Sequence, residues 1–171
     1  CSGTPYLYTV LNKVYVNGKL ADSQSEPFGI REITWDENYC YVNGEKCILR
    51  GFGSRNIYPG LGAAIPAALQ WQDIALIAQC GGNTLRVGHQ PPFTEALKAC
   101  DAYGGLLIVN SGDGEWSLKN EPAKTYKREY DREMLVAFRN HPSVVIWESN
   151  NGLAYDGDKY LPSHTLSEVK A

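Results

Sequence analysis

Between Tyr6 and Trp35 apolar and polar side chains alternate: Tyr6, Tyr8 and Val10 share one parity, and Val14 and Val16 continue it. A period of two belongs to a strand with one face on a core. Asn17-Gly18 interrupts the run, and both residue types tolerate positive φ, so it predicts a hairpin turn. Phe28, Ile30 and Ile33 mark a further strand. Asn43-Gly44 predicts a second hairpin, between residues 39–42 and 47–49.

Beyond the second hairpin the pattern changes. A strand is expected at residues 47–50, closing at Gly51 and Gly53. A helix follows at 67–80, with Pro66 near its start, Gly81-Gly82 as its stop and an apolar stripe of Ile74, Ile77 and Ala78. The next strand spans 83–87. Thr94 is expected to cap a helix that runs to Tyr103 and stops at Gly104-Gly105. A third strand covers 106–109. In the helix predicted at 124–139, Tyr126, Tyr130, Met134 and Phe138 recur at four-residue spacing and make one face. Asn140-His141-Pro142 ends it. A fourth strand covers 144–147, and a further helix is expected from Thr165.

The order is β-α-β-α-β-α-β with continuously apolar strands, the mark of a parallel sheet covered by helices. An open doubly wound sheet and a (β/α)8 barrel both fit. The polar residues decide. Each strand ends in reactive or hydrogen-bonding side chains: Arg50; Arg86 and His89; Asn110 with Asp113 and Glu115; Glu148 with Asn150 and Asn151. A barrel gathers all its strand C-termini into one mouth. A nucleotide-binding sheet concentrates its chemistry at the first β-α turn, and here Gly51-Phe52-Gly53-Ser54-Arg55-Asn56 lacks the third glycine of that fingerprint. The expected fold is therefore α/β: the first half of a (β/α)8 TIM barrel at residues 38–171. The C-terminal strands of an immunoglobulin-like β-sandwich precede it at residues 1–37. Four strands make half a barrel, and a sandwich needs about seven, so the chain is expected to be a fragment with open sheet edges.

Composition narrows the class. The 171 residues are 43% hydrophobic and 20% charged, with a formal net charge of −3. That excludes a disordered chain. No apolar run approaches the roughly 18 residues of a membrane span. Mild acidity argues against nucleic acid as a partner, since phosphate binding needs a basic surface. Five cysteines leave at least one unpaired, and no C-x-x-C suggests a zinc or redox site. Cys80 and Cys100 are expected to be buried thiols.

The segment Arg139-Asn140-His141-Pro142-Ser143-Val144-Val145-Ile146-Trp147 resembles the R-N-H-P-S-V-x-x-W signature of glycoside hydrolase family 2, the β-galactosidase and β-glucuronidase family. Further likenesses keep the same order. Pro5-Tyr6-Leu7-Tyr8 resembles P-Y-L-Y in that family's immunoglobulin-like domain, and Phe28-Gly29-Ile30-Arg31 resembles its F-G-x-R. Asn43-Gly44 through Leu49-Arg50-Gly51 resembles N-G-x-x-x-x-L-R-G at the start of the barrel. Asn83-Thr84-Leu85-Arg86 through His89 and Pro91 resembles N-x-x-R-x-x-H-x-P.

The resemblance implies a retaining glycosidase of terminal β-linked sugars. Such enzymes use two carboxyl groups, one as proton donor and one as nucleophile. It implies a nucleophile on the seventh barrel strand, outside this chain, and hence an inactive polypeptide. Arg50 and Arg86 are expected to reach into the mouth and hold carboxylates, and His89 to contact sugar hydroxyls. Trp147 can stack on a sugar ring, with Trp116 a weaker candidate. Glu115 is a candidate for sugar or for a divalent cation; no other cofactor is implied. His141, before Pro142, reads as structural. Two departures stand out. Asn151 matches the asparagine of the family's Asn-Glu, but Gly152 stands in place of the acid/base glutamate. Asn110-Ser111 replaces a frequent Asp-Glu.

Glu148 is the only carboxylate within five residues of the fourth strand's end, and so the candidate catalytic group. Strand alternation puts it on the face of Val144 and Ile146, away from Trp147. If that face is the barrel interior, Glu148 is expected to pair with Arg50 and Arg86, because a buried carboxylate needs a partner. An ion-paired carboxylate stays ionised, which opposes proton donation. Asn151, with Asn150, is then the expected contact for the sugar, at its 2-hydroxyl. A silent sugar-binding or scaffold protein is the alternative. The expected partners are carbohydrate and a second copy of the chain, associated through the open edges. A periplasmic or extracellular setting is expected for the parent protein.

Overall fold

The computed structural model describes residues 4–112, 121–148, 151, 154–156 and 159–161. Its first elements are β1 (Tyr8–Val16) and β2 (Lys19–Phe28), an antiparallel hairpin paired from Tyr8↔Phe28 to Val16↔Lys19. Asn17 (φ 51°) and Gly18 (φ 76°) form its turn, the left-handed pair that matches the twist of flanking strands. The same device, Asn43 (φ 53°) and Gly44 (φ 78°), joins β4 (Cys40–Val42) to β5 (Glu45–Cys47). With β3 (Ile33–Trp35) these make a three-stranded antiparallel sheet in chain order. Phe28 and Ile33 thus belong to separate strands, with Gly29–Glu32 in neither.

The parallel sheet has the order β6 (Gly51–Ser54), β7 (Thr84–Val87), β8 (Leu106–Asn110), β9 (Val144–Glu148). Its crossovers are α1 (Ala67–Gln79), α2 (Thr94–Tyr103) and α3 (Glu121–Phe138). One further antiparallel pair, β10 (Ala154–Asp156) with β11 (Lys159–Leu161), follows β9. The core lies between this sheet and its helices. Leu85, Val87, Leu107, Val109 and Val144 meet Ile74, Leu97, Cys100 and Met134 there.

Two expectations are corrected and a third is narrowed. The first parallel strand begins four residues later than the apolar run 47–50 suggests. Cys47 is held in the preceding hairpin, opposite Cys40, and the glycines expected to form a turn are the strand itself. A Cβ on Gly51 would lie 2.5 Å from the Thr84 carbonyl oxygen, so close pairing with β7 demands glycine there. Thr94 does not cap α2. Phe93 occupies the N-cap with extended backbone and no side-chain bond, and Thr94 is the first helical residue. On α3 the expected face of Tyr126, Tyr130, Met134 and Phe138 forms, with Met134 and Phe138 in the core, but it is buried only toward its C-terminal end. Tyr126 is 68% exposed and stacks on Tyr130 with ring centroids 6.1 Å apart. The buried residues are Lys127, Asp131 and Met134.

Of the two cysteines expected to be buried, Cys100 is and Cys80 is exposed. Cys80 is the C-cap of α1, and Ala78 and Gln79 before it are exposed as well.

Candidate active site

Strand pairing decides which side chains look into the sheet's concave side. In a parallel sheet paired residues share a face. Arg86 pairs with Ile108 and Ile108 with Ile146; one step on, Asn110 pairs with Glu148. Leu85, Leu107 and Val144 form the opposite row, toward the helices. The register shifts between Leu107↔Val144 and Ile108↔Ile146. Val145 is thus a bulge residue, and a bulge breaks alternation. Val144 packs in the helix-side core while Ile146 and Glu148 face the other way. Trp147 pairs with Val109 and packs against that core. The expected separation of Glu148 from Trp147 holds; the expected company of Val144 does not.

At the C-terminal ends of β7 and β9, Arg86 grips Glu148 with both ends of its fork. Nε donates to Oε2 at 2.9 Å and Nη2 to Oε1 at 2.5 Å. The same Nη2 donates to Asn151 Oδ1 at 2.8 Å. A bidentate guanidinium–carboxylate pair fixes both planes. Arg86 is one-third exposed and Glu148 less so, so water reaches one side of the pair. A Cβ on Gly88 would sit 2.8 Å from Arg86 Nη1, so the guanidinium lies almost on the backbone that leads to His89. His89 is half-buried, with its carbonyl near Gly112 at the end of β8. Arg86, His89, Glu148 and Asn151 are therefore gathered at one end of the sheet.

Arg50 is not among them. It precedes β6, at the opposite end of the sheet, with its backbone bonded to Asn83: Arg50 N donates to Asn83 Oδ1 at 2.8 Å, and Asn83 N donates back to Arg50 O at 2.8 Å. The physical reason is the displaced strand, which turns a supposed C-terminal residue into an N-terminal one. Trp147 is turned to the core and not to the mouth. Asp113, Glu115, Trp116, Asn150, Gly152 and the helix expected from Thr165 lie outside the described residues. Among the described residues, no three His, Cys, Asp or Glu side chains are grouped to hold a metal.

Other motif residues serve the far end. Arg31 donates from Nε and Nη2 to the Val144 carbonyl at 3.0 and 2.7 Å. Burial pushes its guanidinium below the usual arginine range, and the charge of Asp101 pulls the other way. Asp101 accepts from the Ser143 backbone N–H at 3.0 Å and meets His141 Nδ1 at 2.5 Å. His141 thus anchors the chain entering β9.

Sequence reasoning missed two sets of residues near the mouth. Asn56 Nδ2 donates to the Pro91 carbonyl at 2.7 Å, tying the loop after β6 to the loop after β7. Lys127 and Asp131 on α3 bond with Ser111 just beyond β8. A helical lysine four residues before an aspartate reads as a solvated pair; only the fold shows it buried.

Comparison with known proteins agrees with this architecture. Residues 33–162 match the family model described as "Glycosyl hydrolases family 2, TIM barrel domain". The chain is 32% identical over 152 residues to a β-glucuronidase of Formosa agariphila, covering 86% of this chain and 15% of that protein. It is 32% identical over 145 residues to a β-galactosidase of Thermoanaerobacter pseudethanolicus, covering 84% and 19%. The chain thus spans less than a fifth of the length of either. The structure of Bifidobacterium dentium β-glucuronidase complexed with coumarin-3-O-glucuronide superposes with a TM-score of 0.83 at 27% identity, over 92% of this chain and 26% of that one. With a parallel sheet that carries its polar cluster at the strand C-termini, and a family match over most of its length, the chain belongs to glycosyl hydrolase family 2, as part of that family's TIM barrel domain.

Proposed function

We propose that this chain forms the sugar-gripping part of a retaining glycosidase that removes terminal β-linked sugars, β-galactosides and β-glucuronides being the substrate class its relatives suggest. The observation that carries the reading is the Arg86–Glu148–Asn151 cluster at the C-terminal ends of the parallel strands, the end where barrel enzymes keep their chemistry. Arg86 supplies fixed positive charge and aims the Asn151 amide. Asn151 is the contact for the sugar's 2-hydroxyl, and His89 contributes from the rim. The domain division at residue 37 and the absence of a cofactor belong to the same proposal.

Glu148 is an electrostatic and positioning group in this reading. A general acid must hold a proton until the glycosidic oxygen takes it. In Glu148 both carboxylate oxygens are engaged by one guanidinium, which leaves neither aimed at a glycosidic oxygen. With Gly152 at the family's acid/base position, the 171-residue polypeptide is expected to bind glycosides without cleaving them. The same ion pair favours a second reading, a silent sugar-binding relative.

Titration of the polypeptide with methyl β-D-galactoside and methyl β-D-glucuronide, followed by saturation-transfer NMR, tests the site. Saturable binding that R86A abolishes is expected. Binding to neither glycoside, or equal binding by R86A, overturns the sugar-site reading. Turnover of an aryl β-glycoside that E148Q abolishes would make Glu148 the acid and overturn its assigned role.

A further inference from the structure

We infer that Lys127 is a positioning residue: with Asp131 it clamps the turn after β8, and through that turn it fixes the side-chain amide of Asn110 as a donor to a sugar hydroxyl. The inference rests on reading the β6–β9 mouth as a sugar site.

Four polar residues are buried together here. Lys127 is 5% exposed, and Asp131, Asn110 and Ser111 are fully buried. Lys127 and Asp131 stand four residues apart and so share one face of α3. Lys127 Nζ donates to Ser111 Oγ and, at 2.8 Å, to the Gly112 carbonyl. It lies 3.4 Å from Asp131 Oδ1, which also accepts from the Ser111 hydroxyl. Ser111 continues the parity of Leu107 and Val109, toward the helices. Asn110 has the opposite parity and lies level with Glu148.

The turn couples the two faces. Gly112 has φ 128°, a conformation closed to residues with a Cβ. Its carbonyl is held by Lys127 while its N–H donates to Asn110 Oδ1 at 2.6 Å. The amide of Asn110 is thereby locked through its acceptor. Its Nδ2 is buried without a hydrogen-bond partner. A buried donor left unsatisfied is costly; Asn110 lies level with Glu148 on the mouth side of the sheet, where a ligand hydroxyl is the group that removes the cost. A leucine or methionine at position 127 would pack α3 on β8 with no charge to desolvate. What the charged pair adds is the geometry of the turn.

A double-mutant cycle on the 171-residue chain tests this, with the same two methyl glycosides as probes. K127M/D131L removes both charges, so that neither is stranded. It is expected to weaken binding about tenfold, the worth of one hydrogen bond, and N110A by a similar factor. The combined N110A/K127M/D131L variant is expected to bind no more weakly than either, because Lys127 acts through Asn110. K127R is expected to recover part of the loss. Multiplying losses, or full affinity in K127M/D131L, overturns the inference. Should K127M/D131L lose its native near-ultraviolet circular dichroism, S111A replaces it in the cycle, with the ion pair left intact.

A second readout needs no sugar. The Asn110 side-chain NH2 resonances are expected to be dispersed in the wild-type chain and to collapse toward the random-coil position in K127M/D131L. Unmoved resonances overturn the clamp. If the wild-type chain binds neither glycoside but the resonances collapse, the clamp stands and the sugar reading of the mouth falls.

Discussion

Gly88 and Arg86 show how one missing methyl group sets a charge in place. A Cβ at position 88 would crowd Arg86 Nη1, which is not one of the two nitrogens that hold Glu148 and Asn151, so a small shift of the guanidinium relieves the clash at little cost. G88A is therefore expected to change stability by no more than about 1 kcal/mol while weakening glycoside binding several-fold. Parallel denaturant and sugar titrations check the split; a large loss of stability with unchanged binding would refute it. The thiols give a second expectation. Burial pushes Cys100 up to about 12, with the Asp101 charge adding to it. In the unfolded chain a thiol ionises near its ordinary value. Between the two values the unfolded state has shed a proton that the native state keeps, so stability falls as pH rises above about 9. C100A should flatten that alkaline slope. At pH 8, iodoacetamide should label Cys80 and spare Cys40 and Cys100 in the native chain. At this scale the Arg86–Glu148 pair was legible, because a carboxylate at a strand end needs a cation and the sequence offers few. Lys127 was not, because nothing in a polar helix sequence marks which lysine turns inward.

Among elements, the strands and helices came through from periodicity, and the misreadings have local causes. The start of β6 was hidden because a strand written Gly-Phe-Gly-Ser carries the composition of a turn. Its glycines answer to the neighbouring strand and not to local φ. G51A would set a methyl against the Thr84 backbone, which cannot move without breaking the β6–β7 ladder. A loss of about 1–3 kcal/mol is expected, read from the urea midpoint; an unchanged midpoint would mean that β6 shifts freely. Helix α3 shows the reach of periodicity in a different way. Its tyrosines keep helical spacing, but Lys127 and Asp131 take the buried stripe beside Met134. Apolar periodicity finds a helix more securely than it finds the face that the helix buries.

Across the whole molecule, four parallel strands leave β6 and β9 each paired on one side within the described sheet. Phe52 is half-exposed on β6, and Tyr8, Leu11, Val14 and Tyr15 are exposed on the β1–β2 hairpin. Unpaired strand edges and open apolar faces favour association. The isolated chain is expected to form concentration-dependent oligomers in sedimentation velocity, and a monodisperse monomer at high concentration would refute this. The half-barrel order was legible from strand count and polar strand ends. The attachment of the N-terminal segment was not, because Arg31 reaches Val144 from 113 positions away along the chain, and such a contact leaves no periodic trace.

The extra residue in β9 works as a parity bit. Were Val145 taken into the ladder opposite Ile108, every later side chain in the strand would change sides: Trp147 would enter the lumen of the sheet, and Glu148 would be driven into the layer that holds Val109 and Met134. No single substitution at Glu148 does as much. For this strand the vulnerable quantity is register: deleting Val145 only closes the bulge and leaves each later side chain on its face.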